Sequence, residues 1–142
     1  NFKSLNDTYG HQVGDEVLRI VGRALLAAAR PGDIVGRTGG DEFVVAFPGA
    51  GLAVATALAE RLRRAIAESD LRTALGPGVL GGITASFGVA VRVAGDSIVT
   101  LVGRADRCLY AAKHQGRNRV VSEAQPDDPE EATPPLRAQA AG

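Results

Sequence analysis

The chain has 142 residues, 45% of them hydrophobic, which is enough for one domain with a buried core. Its 16 Lys and Arg balance 16 Asp and Glu, so net charge singles out neither nucleic acid nor an acidic membrane surface as a partner. One cysteine, Cys108, excludes an internal disulfide and fits a reducing, cytoplasmic setting; no stretch reads as a signal peptide or as an apolar run of membrane-spanning length.

No methionine occurs, at position 1 or elsewhere, so the chain is expected to be a piece of a longer protein. Charge is spread unevenly. The end of the chain carries Glu123, Asp127, Asp128, Glu130 and Glu131 against Arg137 alone, which leaves the body net basic and suited to an anionic ligand. Basic residues are scattered and aromatics few, which argues against nucleic-acid binding.

In chain order, Val17, Ile20, Val21, Ala24 and Ala28 recur at three- and four-residue steps and predict a helix over 13–30, stopped by Pro31-Gly32. Residues 33–37 read as a short extended run, Gly39-Gly40 as a hairpin turn, and the unbroken apolar run Phe43 to Phe47 as a central strand. A second helix is expected over about 51–68, with Ala55, Leu58, Ala59, Leu62 and Ile66 inward. Gly76 to Gly82 reads as a loop or short hairpin, and Ile83 to Val91 as a strand. A third helix buries Leu101, Ala105, Cys108, Leu109 and Ala112, is capped by Gly116, and leads to a last strand, Arg119 to Ser122. The acidic Pro/Ala-rich end, residues 122–142, has no structural period and is expected to be a disordered tail. Helices alternating with strands, plus one hairpin, give an α/β fold with a mixed sheet.

The turn is the first place to look for chemistry. Gly39 and Gly40 let backbone approach a ligand, and Asp41 and Glu42 beside them are hard oxygen donors of the kind that hold Mg²⁺ together with substrate phosphates. A solvated acidic hairpin tip is the plain alternative.

The rest of the sequence decides between them. Gly39-Gly40-Asp41-Glu42-Phe43, Asn1-Phe2-Lys3 with Asn6-Asp7, Tyr9-Gly10-His11 with Gly14-Asp15, Thr84-Ala85-Ser86-Phe87-Gly88, and Arg104-Ala105-Asp106 running to Gly116-Arg117-Asn118 together resemble the GGDEF domain of the diguanylate cyclase family. The resemblance spans residues 1–121. It implies a mixed central sheet flanked by helices, related to nucleotide cyclase and polymerase palm folds. It also implies condensation of two GTP into cyclic di-GMP and two pyrophosphates by a homodimer, with Mg²⁺ or Mn²⁺ as cofactor and a sensor domain upstream, through which a cytoplasmic domain can be tethered to the inner membrane.

Carried over residue by residue, the resemblance makes Asp41 and Glu42 the metal-binding and catalytic carboxylates, with the choice of base open, and Gly39 and Gly40 the turn beside the phosphates. Asn6 and Asp15 match the pair that reads guanine; Lys3, Lys113 and Arg117 match cations that meet the triphosphate. Alone, Asp15 serves equally as a dipole-complementing acid at a helix start, and Lys113 and Arg117 as helix-end cations. Arg30 and Asp33 fall at the family's product-inhibition site, where Arg61 adds a contact from a facing domain. His11 and Cys108 read as structural, and Asp106 as the partner of a nearby base.

The sequence departs from the family at its start. The family's metal-binding aspartate upstream of the Phe-Lys pair, and most of the first strand, are missing from this chain. A chain without them is expected to have little cyclase activity on its own. The alternatives are therefore a module that only senses GTP or cyclic di-GMP, or an inactive fragment.

Overall fold

The computed structural model describes residues 2–69 and 82–124. Among the described residues eight elements follow one another: α1 (Phe2–Tyr9), α2 (His11–Ala28), β1 (Ile34–Gly39), β2 (Glu42–Ala46), α3 (Leu52–Ala67), β3 (Phe87–Val89), α4 (Ile98–His114) and β4 (Val120–Ser122).

Helix α1 is not anticipated by the sequence reading, although Phe2, Leu5 and Tyr9 stand at helical steps and pack with Val13, Val17 and Ile20 of α2. Gly10, at φ 83, turns the chain between the two helices. Helix α2 therefore starts and ends two residues before the expected 13–30. Its far end is set by Pro31, because a residue before proline is pushed out of the helical region; Ala29 already has ψ 153. Leu18 and Leu25 join Val17 as the buried apolar side chains of α2.

The strands form two separate ladders among the described residues. β1 and β2 pair antiparallel through the Gly39-Gly40 turn, with a register shift between Arg37 and Gly39. β3 and β4 pair parallel. The expected central strand is thus half-buried: Phe43 and Val45 face the core, while Val44 and Ala46 face out. The strand expected over Ile83 to Val91 contracts to Phe87–Val89. Residues 82–85 keep the in-and-out alternation of a strand, but residues 83–86 have no ladder partner among the described residues.

Helices α2 and α3 cover the inner face of the hairpin, where Leu25, Leu62 and Ile66 are each 1% exposed and meet Val35, Phe43 and Val45. Helices α3 and α4 both contact the β3–β4 pair. At Gly88 the approach of α4 is so close that an added Cβ would strike Ala105 O and Leu109 N. Phe47 and Phe87 belong to both major apolar clusters and join them.

Arg104 of α4 ties the end of the fold together. Its Nη1 and Nη2 donate to Asp96 Oδ1 and Oδ2 at 2.6 and 2.7 Å, its Nε to Glu123 Oε2 at 2.8 Å, and Nη2 also to Val91 O at 2.7 Å. These bonds hold the Asp96 carboxyl well below its usual range. Ser122 ends β4, as in the expected strand Arg119 to Ser122, and not in the tail drawn from 122; Glu123, expected in the tail, belongs to this network, while the tail from Gln125 and the glycine-rich stretch up to Gly81 lie outside the described residues. No helix among the described residues is long and apolar enough to cross a membrane.

Candidate active site

The glycine turn puts its two carboxylates in solvent. Gly40, at φ 52, occupies the left-handed region that glycine enters without penalty, and Asp41 and Glu42 follow it, both exposed. Arg37, which the sequence reading passes over, closes the turn: its Nε and Nη2 donate to Gly40 O at 3.0 and 2.6 Å. The signal for it is a basic residue two positions before the paired glycines.

Helix α4 delivers a cation to the same place. Lys113, in its last turn, sets Nζ 3.9 Å from Glu42 Oε1, with both side chains about half exposed. Beyond it the helix closes as expected at Gly116, φ 112, with Arg117 N–H donating to Ala112 O at 3.0 Å. Arg117 and Asn118 then continue left-handed, at φ 59 and 47. For residues other than glycine such backbone costs on the order of 1–3 kcal/mol each, and surrounding bonds must hold it.

Asn6 and Asp15 meet at the α1–α2 junction. The Asn6 side chain fills the space where a Cβ of Gly14 would stand, which explains the glycine, and Asp15 is the next residue, exposed. Asp15 lies in the second turn of α2 rather than at its start. Asn6 Oδ1 is buried without a hydrogen-bond partner, an acceptor left open where a ligand donor would satisfy it. Among the described residues no hydrogen bond or ion pair joins Asn6 or Asp15 to the hairpin carboxylates. Lys3 is exposed on α1.

Arg30 and Asp33 are brought together. Arg30 N–H donates to Asp33 Oδ2 at 2.8 Å, and its guanidinium grips Oδ1 through Nη2 at 2.9 Å and Nε at 3.2 Å. The Asp33 side chain is 1% exposed. Its carboxyl is held below the usual range by the Arg30 hydrogen bond first, with the charge of Arg61 adding to the effect. Arg61 itself lines a shallow groove on the outer face of α3 with Glu60, Arg64 and Glu68.

Other residues keep plainer roles. His11 is exposed, Asp106 has no ion pair among the described residues, and Cys108 is half-buried, with its thiol pushed up by burial. Among the described residues no three His, Cys, Asp or Glu side chains gather into a metal cage. Two adjacent carboxylates at a bare turn do suit Mg²⁺ shared with nucleotide phosphates, which keeps much of its water.

A family model described as diguanylate cyclase, GGDEF domain, matches residues 1–119. The chain belongs to the GGDEF-domain family. This GGDEF domain is 43% identical over 121 residues to diguanylate cyclase VdcA of Vibrio cholerae, covering 85% of this chain and 36% of that protein. It is 44% identical over 124 residues to the response regulator PleD of Caulobacter vibrioides, covering 87% and 27%. Among solved structures, the coiled coil and GGDEF domain of DgcB from Caulobacter crescentus in complex with c-di-GMP matches with a TM-score of 0.80 and 38% identity, over 87% of this chain and 64% of that one. The chain thus spans between about a quarter and a third of the length of these curated relatives. The palm-like α/β fold with mixed strand directions is that of these neighbours.

Proposed function

We propose that the chain is the catalytic domain of a diguanylate cyclase, with two copies meeting face to face, each holding one GTP. The 3′-hydroxyl oxygen of one GTP attacks the α-phosphorus of the other; the bond to the pyrophosphate oxygen breaks, and the same event in reverse roles closes the ring. One carboxylate of the Asp41–Glu42 pair takes the hydroxyl proton. Lys113 and Arg117, with Lys3, offset charge on the triphosphate, and Asn6 and Asp15 orient guanine. A divalent cation, Mg²⁺ or Mn²⁺, held by Asp41 and Glu42 would neutralise the phosphates further. Cyclic di-GMP leaves, and on this reading returns to Arg30 and Asp33, with Arg61 of a facing copy, as inhibitor.

The observation that carries the reading is the convergence of the basic end of α4 on the acidic turn, Lys113 upon Glu42. The test is pyrophosphate release from GTP with Mg²⁺ by a form extended upstream to include the family's metal-binding aspartate, with and without the pair of substitutions Asp41→Asn and Glu42→Gln. A fall of about 10²–10⁴-fold with an unchanged melt is expected; undiminished release would overturn the assignment. Cyclic di-GMP binding without any release would support the sensing module instead.

A further inference from the structure

Arg63 lies on α3, and no role in the proposed reaction falls to it. Its guanidinium nevertheless spans two elements. Nε and Nη2 grip Glu60 at 2.8 and 2.7 Å, while Nη1 reaches across to Asn118 Oδ1 at 2.6 Å. The Arg63 side chain is 17% exposed, and it reaches from there to an Asn118 that stands at the surface. Glu60, whose carboxyl is held at about 2 by Arg63 and then by Arg64, fixes the fork so that Nη1 points one way.

The recipient of that bond is the second of two non-glycine residues in left-handed backbone. Asn118 N–H donates to Ser86 Oγ at 3.1 Å, and Arg117 carbonyl accepts from Arg119 Nε at 3.3 Å. With the Arg117 N–H already bound to the end of α4, the exposed turn is held by groups from α3, from the segment before β3 and from α4. Without those bonds a residue such as Arg117 returns to right-handed or extended backbone, and its side chain swings with it.

We propose that Arg63 is a positioning residue: through Asn118 it locks the left-handed turn that presents Arg117 to the nucleotide triphosphate. The inference rests on the reading of Arg117 as a phosphate contact. It makes α3 part of the substrate site without any side chain of α3 touching substrate.

The experiment measures the affinity of the chain for GTP with Mg²⁺, using Arg63→Ala, Arg117→Ala and the two together, each checked for folding by its melt. Arg63→Ala is expected to weaken GTP by about tenfold, and the double variant to bind no more than about twofold worse than Arg117→Ala alone. Losses that multiply in the double variant would show that Arg63 acts independently of Arg117 and would overturn the proposal. Unchanged affinity in Arg63→Ala, with Arg117→Ala weakened, would overturn it while leaving the proposed function standing. Unchanged affinity in Arg117→Ala would remove both the phosphate role of Arg117 and this inference. If Arg63→Ala does not fold, Asn118→Ala removes the same bond from the other end, leaves the Arg63–Glu60 pair intact, and is read by the same criteria.

Discussion

Lys113 and Glu42, far apart in sequence, lie with ammonium and carboxylate 3.9 Å apart, so the last turn of α4 and the start of β2 share one electrostatic site. The pair is too exposed to hold the fold: contacts of this kind contribute ~0–1 kcal/mol. Its worth lies in where it keeps a mobile cation.

Lys113→Ala should therefore leave the melting temperature within about 3 °C of the parent while weakening GTP binding roughly tenfold. Calorimetric melting and equilibrium nucleotide titration check the two halves separately. A large fall in melting temperature would mean that the lysine is structural.

Arg30→Ala strips the buried Asp33 carboxylate of its guanidinium partner. Arg30 lowers the Asp33 pKa in the folded protein, so the stability it supplies is fully present above the ordinary carboxylate range and is lost as pH falls through the lowered value. The gap in stability between parent and Arg30→Ala should be full at pH 7 and should narrow below about pH 4. Urea melts from pH 7 to pH 3 measure it, and a gap that widens toward acid would contradict the pairing. The same variant should lose affinity for cyclic di-GMP.

Arg37→Ala removes the two bonds to Gly40 O that close the turn. The hairpin is exposed there, so unfolding free energy should change by less than about 1 kcal/mol. Turnover should fall more than KM rises, because the carboxylates remain but are no longer held in place. Steady-state kinetics with GTP, in the form extended upstream, distinguishes this from a uniform loss of binding.

Gly88→Ala places a methyl against the backbone of α4 at Ala105 and Leu109. Backbone cannot swing aside as a flexible side chain can, so a loss of about 3 kcal/mol or more is expected in urea unfolding. Because α4 carries Lys113 and leads to Arg117, GTP affinity should fall in the fraction that remains folded.

Local period and turn chemistry made much of this legible. The apolar steps along α2, α3 and α4, the Gly39-Gly40 hairpin and the Gly116 cap follow from spacing that neighbouring residues enforce on one another. What spacing cannot carry is the identity of a distant partner. Arg104 meets Asp96 and Glu123, and Arg63 meets Asn118, only once the chain has folded. Nor does an apolar run such as Phe43 to Phe47 say whether a strand has neighbours on one edge or on two. Among the candidate site residues, proximity of Lys113 to Glu42 and of Arg30 to Asp33 is visible in the fold. The meeting of Asn6 with the residue preceding Asp15 explains a glycine that pattern alone leaves unaccounted for.

Phe47 and Phe87 sit in both apolar clusters, although no hydrogen bond joins the β1–β2 ladder to the β3–β4 ladder among the described residues. These two rings, with α3 packed on both sides, do the fastening that a continuous sheet would do through its amides. The spacing between the hairpin carboxylates and the cations of α4 is thus set by side-chain packing among the described residues, so a change in that packing reaches the site directly.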